Sequence, residues 1–425
     1  MPPLPSIDGY AAFDHCRFRL PTFPWDRAPD PASQLHRLAL ELSHPRSLGA
    51  TRPTRALAAA IYLPCGTRQL LRSFGRQARA ARRIHHVPYH RQLAGLLHTV
   101  FRRNAAPDCY YIHRLFRPGD LRRLPAFFEH RELQSLLRAL HATLDTDAIA
   151  DKLRCHELCR QHALPTPPLW AVFRAGAIDA GRSGPWLANP RADLFVKPAA
   201  DYSGHGVVRW CHDPATGRYC DGRRQLDHGE LTAETAARSL AGSTFIIQPR
   251  LAEGPALADL AGGSVCNYRI LTGCAPDTDP VVLTAVLRLP SPGHYLTDVD
   301  NDILAAPVAI GSGTLGSAQS KAIERGIHRR HPRSGAPIEG RVVPNWPAVA
   351  ALARRAHAAC AWMPFVGWDI VDTTEGPTLL EANAYWGGNL CQMSGHRFLG
   401  ETEFPTIFLA HLARLRPDLV QHLHC

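Results

Sequence analysis

Apolar positions in the first third of the chain recur at helical spacing, whereas further on they fall in short runs separated by turn residues. Over residues 54–103 hydrophobic side chains return every three or four places, which predicts helix, and the pattern resumes over about 118–143 after Cys109-Tyr-Tyr-Ile-His113. A Pro-rich stretch from Pro2 to Pro31 precedes it. Downstream, Asp193–Lys197, Thr244–Gln248, Val265–Thr272, Val281–Leu289, Phe365–Val371 and Pro377–Ala382 read as strands alternating with helices. The pattern predicts a mostly helical region over 1–125 and an α+β body over 126–425, itself divided near 250. Gly254–Gly263 and Pro290–Gly293 read as loops, and no internal repeat is evident.

A chain of 425 residues with 45% apolar content can bury more than one core. Its longest apolar runs, such as Pro280–Leu289, fall far short of the roughly 20 residues that span a bilayer, so no transmembrane helix is expected. The first residues lack a basic segment followed by an apolar one, which predicts a cytoplasmic protein. Its 12 cysteines then read as reduced thiols. Cys155 and Cys159, with His162 nearby, offer zinc two thiolates on one helix face; no second pair at suitable spacing completes four ligands, which favours buried helix cysteines.

Charge is uneven along the chain. Residues 1–150 carry 22 Arg against 11 Asp and Glu, whereas the remainder balances at 26 against 26. Between Ser43 and Pro107 lie 12 Arg and no carboxylate, with Arg68, Arg72, Arg76, Arg79, Arg82 and Arg83 interleaved with Leu70, Leu71 and Phe74. Such a basic helix suits nucleic acid, an anionic membrane surface or an acidic substrate, or is simply a solvated face. Only three of the 48 basic residues are lysine: Lys152, Lys197 and Lys321. In a chain that otherwise uses arginine, a compact ammonium points to a role for a point charge, such as contact with phosphate oxygens. Lys321 sits in a polar stretch and reads as a surface residue.

The sharpest constellation is Gly367-Trp-Asp369-Ile-Val-Asp-Thr-Thr-Glu-Gly-Pro-Thr-Leu-Leu-Glu381-Ala-Asn383. Val366–Val371 and Thr378–Asn383 read as two strands joined by Thr373-Thr374-Glu375-Gly376. Folding the hairpin about its midpoint brings Asp369 opposite Glu381, and Asn383 projects from the same face by the period of two. Like charges opposed across strands destabilise the pair unless a cation lies between them. A hard divalent ion, Mg²⁺ or Mn²⁺, suits two carboxylates and an amide oxygen. The alternative is an ordinary hairpin with one solvated polar face.

A second constellation is Leu194-Phe-Val-Lys197-Pro, followed by Ser203-Gly204-His205-Gly206. The small residues let backbone N–H groups approach an anion such as a triphosphate, although a plain strand-turn-strand has the same appearance. Neither a P-loop nor a Gly-x-Gly-x-x-Gly fingerprint opening a helix is present.

In order along the chain, Asp151-Lys152, Phe-Val-Lys197-Pro with its Gly loop, Phe-Ile-Ile-Gln248, Asn267-Tyr-Arg269-Ile, Gly367-Trp-Asp369-Ile and Leu380-Glu381-Ala-Asn383 resemble the ATP-grasp superfamily. They are most similar to the sugar-transfer-associated branch related to α-L-glutamate ligases, over about residues 105–415. The resemblance implies two α+β subdomains gripping ATP, with Lys152 and Lys197 on the phosphates and Ser203, Gly204 and Gly206 closing over them. It places Gln248 to Leu251 against adenine, and Asp369, Glu381 and Asn383 around Mg²⁺ or Mn²⁺. Arg269 is the candidate for the γ-phosphoryl group or an acyl phosphate, a structural ion pair being the alternative. Many peptide-forming relatives carry an arginine two residues before the metal aspartate, where this chain has Gly367; Gln248 stands where several have an acidic residue, and Glu253 is the nearest candidate for ribose. The activity implied is ATP-dependent ligation of a small-molecule carboxylate to an amine through an acyl phosphate, with a role in sugar or cell-surface polysaccharide modification. A kinase acting on a hydroxyl, or a non-catalytic nucleotide- or anion-binding protein, are the competing readings. The Arg-rich region would then face an anionic partner.

Overall fold

A computed structural model of the protein describes residues 29–43, 52–103, 105–200, 206–290, 303–393 and 397–420. The helical layer opens with α1 (Pro31–Ser43), α2 (Arg52–His85) and α3 (Tyr89–Leu97). The inner side of α2 buries Tyr62, Leu70 and Ala81 against Val100, Tyr110 and Tyr111. Arg114, fully buried, donates from Nη2 to the Ser320 carbonyl at 3.0 Å and so fastens this layer to the C-terminal half. Arg123 adds an ion pair with Glu401 at 2.6 Å.

Two seven-stranded sheets follow. The first is built from β1 (Ala171–Arg174), β2 (Ala177–Ile178), β3 (Leu194–Pro198), β4 (Val208–Asp213), β5 (Arg218–Cys220), β6 (Gln225–Leu226) and β7 (Phe245–Pro249), in the order β2-β1-β7-β3-β4-β5-β6. The second contains β8 (Asn267–Gly273), β9 (Val281–Leu289), β10 (Leu304–Pro307), β11 (Ala318–Gln319), β12 (Ile327–His328), β13 (Phe365–Thr373) and β14 (Gly376–Asn383), in the order β12-β11-β10-β9-β8-β13-β14. Every neighbouring pair is antiparallel. Six strands lie where the apolar runs predict them. The runs do not predict the other eight, β1, β2, β4 to β6 and β10 to β12; all have six residues or fewer, and five of them only two or three.

The sheets differ in covering. Strand β3 alternates buried and half-buried positions, the mark of a sheet with one covered face, whereas β8 and β13 are buried throughout. On one face of β13, Val366, Trp368 and Ile370 pack with the Trp346–Ala358 helix; on the other, Phe365 packs with the His130–Leu140 and Phe404–Leu415 helices and with Leu35 and Leu38 of α1. The His130–Leu140 helix therefore belongs to the core of the second sheet, not the first. Among the described residues, no helix is long and apolar enough to cross a membrane.

Candidate active site

Two backbone devices position the lysines. Asp151 caps the Lys152–Gln161 helix, accepting from the N–H groups of Leu153 at 2.8 Å and Arg154 at 3.0 Å. The backbone N–H of Lys152 itself donates to the Ala199 carbonyl at 2.9 Å, which ties the helix start to the end of β3, two residues past Lys197. The two ammonium groups thus face one region. Burial pulls Lys197 down to about 8; Glu381 opposes the shift and Lys152 adds to it.

The carboxylates come from the other sheet. In the β13–β14 hairpin Asp369 pairs with Glu381 and Gly367 with Asn383, so both acids and the amide share a face. The register depends on a bulge. From Thr373–Gly376 to Ile370–Leu379 the pairing runs without interruption, and continued unbroken it sets Asp369 against Leu380; a shift between Asp369 and Ile370 leaves Leu380 as the extra residue and brings Glu381 into place. Gly376, at φ 106°, supplies the left-handed residue that the tight turn needs. Gly367 is required for a different reason: a Cβ there would lie 2.6 Å from that of Trp386, which leaves no room for a side chain of any kind.

Asp369 already has cationic neighbours. Arg269 approaches its two carboxylate oxygens from Nε at 2.5 Å and Nη2 at 3.0 Å, and Arg288 reaches Oδ2 from Nη1 at 3.3 Å. Burial pushes the Asp369 carboxyl up, but the two guanidinium groups outweigh it and hold the acid well below the usual range. Glu381 is raised by burial and by Asp369 beside it. The guanidinium groups reach Asp369 from β8 and β9, on the side away from β14, and Arg269 makes the ion pair that is the alternative reading of that residue. Asn383 turns its amide N–H toward the Gly367 carbonyl at 3.3 Å.

Lys152, Gln248, Glu381 and Asn383 line one cleft, with Ile149, Ala150, Cys155, His156, Thr166, Leu380 and Ala382 completing its walls, while Lys197 and Asp369 lie behind that lining. Gln248 donates to the Pro167 carbonyl at 3.1 Å. Leu251 is half-buried and not among the residues that line the cleft. Glu253 turns into the second sheet to accept from the Cys266 N–H, and burial raises it to about 7. Ser203 and Gly204 fall outside the described residues; Gly206, at φ 73°, has its carbonyl held by Arg238 Nη2 at 2.8 Å. Cys155 and Cys159 are buried, as expected, and among the described residues no three His, Cys, Asp or Glu side chains group as metal ligands.

The oxygen-only donors of Asp369, Glu381 and Asn383 nonetheless suit a hard divalent ion, because two adjoining carboxyl groups, one of them driven toward its protonated form, lose their repulsion when a cation replaces the proton. Sequence reasoning overlooked Arg288. Its signal was a charge inside the apolar run Val-Leu-Arg288-Leu of a strand with both faces covered.

Comparison with known proteins adds the family. No curated protein matches the chain in sequence. Among solved structures, D-alanyl-alanine synthetase A from Vibrio cholerae is similar at a TM-score of 0.39 and 10% identity, over 64% of this chain and 66% of that one. D-cycloserine synthetase DcsG gives 0.35 and 18% identity over 63% and 71%, and biotin carboxylase from Campylobacter jejuni 0.38 and 11% over 62% and 46%. The chain therefore spans just under two thirds of the first of these. Residues 133–403 match the profile of the sugar-transfer associated ATP-grasp family, a span that holds Lys152, Lys197, Gln248, Arg269, Asp369, Glu381 and Asn383. With most of its length matched, the two-sheet chain belongs to the sugar-transfer associated ATP-grasp family.

Proposed function

We propose that the protein is an ATP- and Mg²⁺-dependent carboxylate–amine ligase acting through an acyl phosphate, on small-molecule substrates in sugar or cell-surface polysaccharide modification. One observation carries the reading: Lys152 from the first half of the fold lines one cleft with Glu381 and Asn383 from the second, and Lys197 lies close enough to feel both Glu381 and Lys152. Lys152 and Lys197 bind the phosphates of ATP, with the backbone near Gly206 covering them. Gln248, anchored to the Pro167 carbonyl, lines the cleft and orients the base. Asp369, Glu381 and Asn383 hold Mg²⁺ or Mn²⁺, which when bound neutralises charge on the phosphoryl oxygens.

Positioning does most of the work in such a reaction. An oxygen of the substrate carboxylate attacks the γ-phosphorus, the bond to the β,γ-bridging oxygen breaks, and ADP departs. The amine then attacks the acyl carbon, loses a proton, and inorganic phosphate leaves. Arg269 keeps Asp369 ionised in the ground state and, with Arg288, holds positive charge beside the transferring group. Gly367 offers no side chain to the acceptor, so the acceptor carboxylate is recognised from elsewhere in the cleft.

Calorimetric titration of ATP, with and without Mg²⁺, tests the reading on the native protein and on Glu381→Gln. Metal-dependent binding that the variant loses supports it and justifies screening acid and amine pairs for ADP release with amide formation. Release of ADP with a phosphoester in place of an amide makes the protein a kinase; absence of ATP binding in both samples removes the nucleotide reading altogether.

A further inference from the structure

The helical layer carries a surface that the proposed ligation does not use. On α2 the solvent-facing stripe includes Leu63, Pro64, Thr67, Arg68, Leu71, Arg72, Arg76, Arg79, Arg82 and Arg83, recurring every three or four residues opposite the buried face of Tyr62, Leu70 and Ala81. Leu63 and Leu71 are 58% and 57% exposed, and with Arg68 and Arg72 they line a shallow apolar groove. Of the arginines, Arg76 pairs with Asp108 at 3.1 Å. Among the described residues, Arg68, Arg72, Arg79, Arg82 and Arg83 have no carboxylate partner.

Helix α3 runs back beside α2, held by Gln92 donating to the Ala78 carbonyl at 3.1 Å. It adds a second exposed row, Tyr89, Leu93 and Leu97, at successive helical turns. The rows meet where the Arg82 guanidinium lies 4.7 Å from the centre of the Tyr89 ring.

Charge alone would suit any polyanion. Large aliphatic side chains left in water among unpaired arginines are different: on a nucleic acid they have nothing to bury against, whereas at a lipid interface they enter the acyl boundary while the long arginine stems reach back to the headgroup phosphates. Tyrosine, apolar in its ring and polar at its tip, fits the same level. The absence of any Asp or Glu from Ser43 to Pro107 removes the repulsion that a negative surface would otherwise meet. We propose that the outer face of the α2–α3 hairpin docks on an anionic lipid surface, with arginines on the phosphates and Leu63 and Leu71 inserted between them.

Flotation of the full-length protein with phosphatidylcholine vesicles, plain or containing about 30 mol% phosphatidylglycerol, is the test. The expected result is flotation with the anionic vesicles, absent with the neutral ones and declining as salt is raised. Arg68→Glu/Arg72→Glu/Arg79→Glu should lower the partition coefficient by about 100-fold or more, since each basic residue near such a surface contributes roughly fivefold. Leu63→Ser/Leu71→Ser should lower it by about 100-fold while the salt dependence stays the same. All five positions are solvent-facing, so thermal unfolding and ATP binding should remain as in the native protein.

Failure to float with anionic vesicles overturns the proposal, as does flotation that the charge reversals leave intact. Binding of single-stranded poly-uridylate in place of vesicles, indifferent to the leucine changes, would assign the face to nucleic acid instead. None of these outcomes depends on whether the cleft performs ligation.

Discussion

The two sheets handle charge in opposite ways. In the first, with one face covered, polar groups stay partly in water: Lys197 projects from an alternating strand, and pairs such as Arg224 with Glu234 lie toward solvent. In the second, where β8 and β13 are covered on both faces, Arg269, Arg288 and Asp369 form one buried network with half-buried Glu381 at its edge. The first sheet can therefore lend an ammonium group to a ligand, whereas the acids of the second are pre-set by their neighbours before any ligand arrives.

The comparison breaks most sharply at Glu381. Glu381→Gln should lower ATP turnover by about 10³-fold or more while the protein stays folded; steady-state ADP release near the native rate would remove Glu381 from the chemistry. Next in size, Asp369→Asn strips two buried guanidinium groups of their counter-charge and should cost about 3–5 kcal/mol in urea unfolding. Glu234→Gln, at a half-exposed pair between the His228–Ser239 helix and the turn before β6, should cost less than about 1 kcal/mol. Equal losses at the two sites would erase the distinction between the sheets.

Lys197→Arg should cut turnover by about 10²-fold, because a planar fork does not reproduce a point contact; unchanged kinetics would place Lys197 outside the phosphate site. The smallest effect is a pH dependence. Lys197 is lowered to about 8, so it is charged below that value and neutral above it. ATP affinity should therefore fall as pH rises through about 8, and binding near that pH should take up protons, which calorimetry in two buffers of different ionisation enthalpy would detect. Affinity that is flat from below to above this range would mean that the ammonium does not face the phosphates.

Much of this arrangement is readable from residue order. Six strands announce themselves as apolar runs, and a hairpin with acids near both ends is visible in Asp369 to Asn383 because turn residues and period two are local properties. What escapes is long-range or compensating. Arg288 looks like an isolated interruption of β9 until β13 is laid beside β8 and Asp369 comes within reach. The place of the His130–Leu140 helix under the second sheet is a matter of tertiary packing, and its own periodicity says only that one face is apolar. Strands β10 to β12, with Leu-Ala-Ala-Pro, Ala-Gln and Ile-His, owe their conformation to neighbours more than to their own residues.

The bulge at Leu380 also bears on how such a site can change over generations. Leu380, Glu381, Ala382 and Asn383 all line the cleft, and of the four Leu380 alone has no partner across β13. The extra residue adds an apolar group to the cleft wall without moving the acid away from Asp369. Deleting Leu380 should restore even pairing with Glu381 still opposite Asp369. In that respect the hairpin separates two properties that evolution or an engineer could vary on their own: the shape of the cleft, set by a residue that can come and go, and the pairing of the acids, which stays in step either way.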